Sequence, residues 1–332
     1  MTVDWISLHV FHGGSADPLL TEAVAPLTAE LRSQGLTRDF FFLRYWEGGP
    51  HLRLRLRPST PPAAEVLRRL AHDRLAGALE GRTLSSMPDA RAYRELAGRL
   101  AAAEGLADYD RRLRPHPGVE HIPYRPEERA FGGREAVRAA ERHFTVSSDI
   151  ALGLLVRGAG QPRRAGFAFA ALVLALAAWE PDPARVAGLI SASSTAWGTA
   201  APMGRDPGTP ADHPRQHAGL RAQVDRYWRL GTGAVPQQPD DAVAAWLRSI
   251  RRLRDELTDL QRRGRFAPQS VGSALVAPDA GATAAEYALL VTLLRCVHLL
   301  HNRLGLGPAR ERSLLLFART ALIEFTTGKE SR

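Results

Sequence analysis

His51-Leu52-Arg53-Leu54-Arg55-Leu56-Arg57 alternates apolar and basic residues without a break. In an extended strand successive side chains point to opposite faces, so Leu52, Leu54 and Leu56 line one face and His51, Arg53, Arg55 and Arg57 the other. Just upstream, Phe40-Phe41-Phe42-Leu43-Arg44-Tyr45-Trp46 has the aromatic content of a second strand. Gly48-Gly49-Pro50 supplies the turn, and the two strands read as a hairpin.

Outward from the hairpin, Trp5-Ile6-Ser7-Leu8-His9-Val10-Phe11 is a further strand. Residues 19–34 carry helical periodicity (Leu20, Val24, Leu27, Leu31) with Gly35 as a stop, and 63–79 is an amphipathic helix. This β-α-β-β-α order predicts a sheet with helices on one face. The pattern weakens between 80 and 133, where a helical piece (90–106) precedes Pro115-His116-Pro117-Gly118 and the segment 121–125. From Arg134 onward the reading is helical: 135–156, 165–179, 183–191, 218–227, 241–261, 284–305 and 310–325, with Pro/Gly-rich loops at 202–214 and 231–240. The expected class is α+β. A small N-terminal α/β lobe with an antiparallel sheet (1–133) packs on a larger, mostly helical lobe (134–332), within a single domain of 332 residues.

Composition narrows the chemistry. Of the 44 basic residues all but Lys329 are arginine, which nearly removes Schiff-base, pyridoxal and Walker-type phosphate chemistry. The one cysteine, Cys296, excludes a disulfide framework and cysteine-based metal sites. Scattered histidines with no H-E-x-x-H pattern argue against a metal, and Gly158-Ala159-Gly160 lacks the third glycine of a dinucleotide fingerprint. No cofactor is expected. A net charge of +9 would attract nucleic acid, anionic membrane or acidic peptide, but no run reaches the length of a charged tail. The N-terminus carries no signal-peptide pattern, and the most apolar stretch, 165–179, falls short of a span of about 20 residues. A cytosolic protein with neither nucleic-acid nor membrane partners is the expectation.

Three stretches can carry chemistry. The face with His51, Arg53, Arg55 and Arg57 either binds a carboxylate or peptide carbonyls, or is a solvated sheet face. If 284–305 is one helix, Tyr287 and His298 lie about 20° apart around its axis. Asn302 follows His298 at i+4 and Arg303 comes next. A Tyr, a His and an Asn on one stripe form an acid/base set, unless His298 is simply a hydrogen-bonded core residue. Finally, Tyr124 and Glu127-Glu128-Arg129 adjoin the flexible Gly132-Gly133, where adjacent glutamates are usually a solvated patch. His143 with Ser147 and Ser148 lacks a nucleophile-elbow context.

These residues resemble a known family. Trp5 to His9, Phe41 to Trp46, Pro50 to Arg55, Tyr124 to Gly133, Ser147-Ser148 and His298-Leu299-Leu300-His301-Asn302-Arg303-Leu304-Gly305 are similar, in order, to the C-terminal domain of lantibiotic dehydratases. That family contains glutamate-elimination domains, which make dehydroamino acids from glutamylated Ser/Thr. It also contains stand-alone relatives that build the central nitrogen ring of thiopeptides. The resemblance implies a stand-alone member, since no room is left for a glutamylation domain. Elimination domains typically carry Glu-x-x-Arg-Tyr-Gly-Gly, whereas here Glu127-Glu128-Arg129-Ala130-Phe131-Gly132-Gly133 puts Ala130 at the arginine position. This favours the ring-forming branch: a formal [4+2] aza-cycloaddition of two dehydroalanines, with loss of water and leader peptide.

The resemblance further implies His298 and Glu127 as acid/base residues, with Tyr287, from helical geometry, serving amide tautomerisation. His51, Arg53, Arg55, Tyr124, Ser147, Ser148, Asn302 and Arg303 are the implied substrate-binding residues, Asn302 orienting His298. Neither metal nor organic cofactor is implied. The implied partners are a leader-bearing, dehydrated, azole-containing precursor peptide and the upstream dehydratase and cyclodehydratase enzymes. A glutamate eliminase and a non-catalytic leader-binding subunit are the alternatives.

Overall fold

The computed structural model describes residues 5–80, 89–104, 108–189, 214–233, 241–269 and 282–330. The loops expected at 202–214 and 231–240 fall largely outside them, as do the ends of the helices expected to reach 106 and 191. The chain divides into two compact units, Met1–Arg125 with Ala151–Gly158, and Pro126–Ile150 with Ala159–Arg332.

The first unit is built on β1 (Ile6–Phe11), β2 (Thr37–Tyr45), β3 (His51–Pro58) and β4 (Gly118–His121). They form one antiparallel sheet in the order β2-β3-β1-β4. Helix α1 (Asp17–Leu19) passes through a π-helical turn, Leu20–Val24, into α2 (Ala25–Ser33), while α3 (Ala63–Leu79) and α4 (Ala90–Glu104) follow the hairpin. The leucine face of β3 is core. Leu8, Val10, Phe40, Phe42, Leu52, Leu54 and Leu56 are all fully buried, and α2 and α3 pack against the sheet. The hairpin turn needs Gly49, whose φ is 114°, and a Cβ there would come 2.5 Å from Cε1 of His116. Strand β4 was not expected from sequence. Its four residues carry little apolar pattern, and they are strand because they pair with Leu8–Phe11 of β1.

The second unit is helical: α5 (Glu128–Phe131), α6 (Arg134–Val156, its residues 151–156 belonging to the first unit), α7 (Gln161–Trp179), α8 (183–189), α9 (Pro214–Thr232), α10 (Asp241–Arg262), α11 (Ala284–Arg303) and α12 (Pro308–Glu330). Helix α7 is the hub, with every residue from Ala168 to Ala178 buried and α9, α10, α11 and α12 packed on it. A helix apolar on all sides is satisfied only by being surrounded. Its alanines let backbones approach: a Cβ on Gly231 of α9 would sit 2.6 Å from Cβ of Ala177. Trp246 of α10 is fully buried and donates its indole N–H to the Ala171 carbonyl at 3.0 Å. Helix α7 begins four residues earlier than expected, and it and α11 are long and apolar enough to cross a membrane. In both, though, most of the apolar window (67% and 61%) is buried inside the fold.

Truncating Leu54 to alanine removes a fully buried side chain from the centre of β3 and should cost about 3 kcal/mol. Urea unfolding measures this. A loss below about 1 kcal/mol would mean that this face is not the core.

Candidate functional site

Two clusters of polar side chains stand out, one within each unit. The first lies on the sheet face opposite the leucines. Register places Arg55 beside Ser7 of β1 and Phe41 of β2, and Arg53 beside His9. Trp5, Phe41 and Tyr124 form an edge-to-face aromatic group on this face, with ring centroids 4.9 to 6.4 Å apart. The expected arginine row is therefore not a solvated surface. Arg57 pairs with Asp39 and lies 4.2 Å over the Trp5 ring; Arg53 pairs with Glu47 and stacks on Tyr45.

Arg55 differs from both. It is 6% exposed, and among the described residues no carboxylate pairs with it. Its Nη2 donates to Nε2 of His9 at 3.2 Å, and the Tyr124 ring lies 5.5 Å away. Burial, with Arg53 nearby, pulls its pKa down to about 9. His9 and His51 stack at 4.8 Å, and burial first, then the neighbouring cations, hold them neutral, with pKa values of about 2 and about 3.

Donor rules fix the tautomers. A guanidinium only donates, so His9 carries its proton on Nδ1. The Gly49 carbonyl, 2.9 Å from Nδ1 of His51, only accepts, so His51 presents a lone pair at Nε2. That Nε2, Nε of Arg55 and Oγ of Ser7 are buried atoms lacking a hydrogen-bond partner among the described residues. One buried face thus offers an unmatched N–H, an unmatched imidazole lone pair and a hydroxyl.

The second cluster joins α11 to the first turn of α12. Nδ1 of His298 lies 2.8 Å from Oε2 of Glu311, and Nδ1 of His301 lies 3.3 Å from Oε1, an ion-pair distance without hydrogen-bond geometry. His301 is 1% exposed and bonds through Nε2 to the Ala168 carbonyl of α7, whereas the His298 side chain is 54% exposed. Burial would raise the Glu311 carboxyl, but the two imidazoles outweigh it and hold it at about 2.

The sequence pattern that defines the lantibiotic biosynthesis dehydratase C-term family matches residues 5–322. The chain belongs to this family. Among solved structures, a pyridine synthase, TbtD, from thiomuracin biosynthesis matches with TM-score 0.70 at 21% identity, covering 97% of this chain and 98% of that one. TsrL matches at 0.64 and 19% identity, with 98% and 96% covered. The tRNA-dependent lantibiotic dehydratase MibB from Microbispora sp. 107891 matches at 0.54 and 21% identity, covering 98% of this chain and 28% of that chain. At such identities the likeness establishes the fold. No curated protein matches the sequence.

Seen as a lantibiotic dehydratase C-term domain, the chain distributes the expected residues unevenly. Ser147, Ser148 and Arg303 are fully buried; Arg303 donates to Oγ of Ser147 at 3.2 Å and lies 5.2 Å over Phe144, with burial pulling its pKa down to about 9. They hold α6 to α11 and present no surface to a peptide. Tyr287 shares a stripe with His298, but eleven residues along a helix separate them by about 16 Å, and Tyr287 is buried. The pair cannot serve one reacting atom. Glu127 is exposed at the start of α5; at the other end of that helix Gly132 (φ 86°) leaves room for Phe266, 2.8 Å from where a Cβ would be. Asn302, expected to orient His298, is not the group 2.8 Å from its Nδ1; Glu311 is. Glu311 escaped the sequence reading, although an acid in the first turn after Gly305-Leu306-Gly307-Pro308 is a helix-start signal. Cys296 is buried, its thiol pushed up to about 12 by burial and thus inert.

His9, His51 and His143 are held neutral at about 2, about 3 and about 3, against 6.5 for an unburied histidine. Between those values the unfolded chain binds protons that the folded chain refuses, so stability is present at pH 7 and lost as pH falls below 6.5. Each histidine should contribute a loss of about 2 kcal/mol on going from pH 7 to pH 5. Equal urea midpoints at the two pH values would show that these imidazoles charge within the fold.

Proposed function

We propose that this chain builds the central six-membered nitrogen ring of a thiopeptide. The substrate is a leader-bearing, azole-containing peptide with two dehydroalanines. One dehydroalanine supplies a C=C bond as the two-carbon partner. The other, with its preceding amide as the iminol, supplies the four-atom aza-diene. Two new σ bonds close the ring; loss of the iminol oxygen as water and of the leader as its own amide then gives the pyridine.

The observation that carries this reading is the buried face of Arg55, His51 and Ser7. A guanidinium N–H and an imidazole lone pair, each without a partner among the described residues, match the C=O and N–H of a peptide amide. Arg55 donating to the oxygen and His51 accepting from the nitrogen polarise the amide, and the iminol follows when the proton that His51 takes from N is returned to O. His51 and Arg55, which carry polar atoms lacking a hydrogen-bond partner among the described residues, are the tautomerisation groups in place of Tyr287. His298, half-exposed and backed by a carboxylate, is the proton-transfer residue for the eliminations. Ala130 at the arginine position supports the ring-forming branch, and the neighbouring Arg129 directs its Nε to the Gln269 side chain at 3.0 Å.

A second reading, glutamate elimination, is favoured by one contact. Arg295 of α11 reaches the same turn and donates to the Ala130 carbonyl at 2.6 Å, so a guanidinium does lie there. A soluble chain working in the cytoplasm alongside upstream dehydratase and cyclodehydratase enzymes suits either reading.

Mass spectrometry with a leader-bearing, multiply dehydrated, azole-containing peptide separates them. Loss of water with release of the leader establishes ring formation, and His298→Ala should lower that rate by about 100-fold or more at little change in KM. If the peptide stays intact while a glutamylated one loses glutamate, the chain is an eliminase.

A further inference from the structure

We propose that Glu311 is the positioning residue of His298, fixing the imidazole in the tautomer with Nδ1 protonated and the lone pair on Nε2. The proposal rests on the reading of His298 as a proton-transfer group, and its geometry stands independently of it. The carboxylate is built into place from three sides. Its backbone N–H bonds to the Gly307 carbonyl, so it sits in the first turn of α12, where the helix dipole favours an anion. His301 flanks Oε1 and is itself tied through Nε2–H to Ala168 of the hub helix α7. Glu311 is 13% exposed and therefore poorly shared with water.

An ionised carboxylate only accepts, so the 2.8 Å contact requires a proton on Nδ1 of His298. Imidazole side chains in water favour the opposite tautomer, with Nε2 protonated. Left alone, His298 would mostly present a donor where proton abstraction needs a lone pair. The carboxylate also steadies the imidazolium that forms when Nε2 takes a proton. His301 is not available to the substrate: its Nε2 is committed to a backbone carbonyl and it is closed to solvent.

Histidine-selective nitrogen NMR of the full chain tests the assignment without any substrate, with His298→Gln identifying the resonances. The wild type should show His298 protonated at Nδ1, and Glu311→Gln, whose amide can turn its NH2 toward Nδ1, should shift it to the Nε2–H form. In turnover of the dehydrated peptide, Glu311→Gln should lower kcat by about 100-fold with KM within about twofold. Glu311→Asp, which keeps the carboxylate, should recover to within about tenfold of wild type. A wild-type His298 protonated at Nε2, or a Glu311→Gln variant with unchanged tautomer, overturns the proposal. Absence of turnover in the wild type with the NMR as expected would instead count against the functional reading alone.

Discussion

Arg55 is a cation withdrawn from water with no acid paired to it among the described residues, and much of the first unit is arranged to tolerate that. Strand geometry puts it there: a residue at position 55 must point away from Leu54 and Leu56, which are locked into the core by burial. Desolvating a guanidinium costs several kcal/mol, and the Tyr124 ring beneath it and a neutral imidazole offset only part. The neighbours are consistent with this strain. His9 and His51 stay neutral because they are buried, with the neighbouring guanidinium charges adding to the effect, and Arg53 and Arg57 are offset by Glu47 and Asp39. The leucine face provides the stability that lets the other face remain imperfectly satisfied.

The helical unit handles polarity differently. Its hub, α7, is apolar throughout, and neighbouring polar groups reach its backbone carbonyls: Trp246 at Ala171, His301 at Ala168 and Arg254 at Ala178. Carbonyls within a helix keep a second lone pair, so these contacts add directional bonds without breaking the helix. They also fix the rotation of α10 and α11 about the hub. Through His301, that rotation reaches Glu311 and the exposed edge of α11.

Most elements were legible because their signals are local. Alternation gave β3, aromatic content gave β2, and periodicity gave α3 to within its observed ends. What was missed is non-local. Strand β4 exists through pairing with β1, and Glu311 meets His298 from thirteen residues away on another helix. Helical angle alone joined Tyr287 to His298, because angle repeats along a helix while rise accumulates. The arginine face read as either solvated or ligand-binding because one strand's pattern says nothing about what lies over it. Trp5, Phe41 and Tyr124 come from three separate segments to cover it.

The strict period of β3 also limits how this family member could change its length. Adding or deleting one residue inside the strand would turn every downstream side chain over, sending arginines into the core and leucines onto the polar face. Paired changes keep the faces but slide His51, Arg53 and Arg55 past Ser7 and His9. Length drift is therefore pushed out of the strand to its flanks, and in the Glu47–Pro50 turn Gly49 passes too close to His116 to accept a side chain. Divergence in this part of the chain should proceed by substitution.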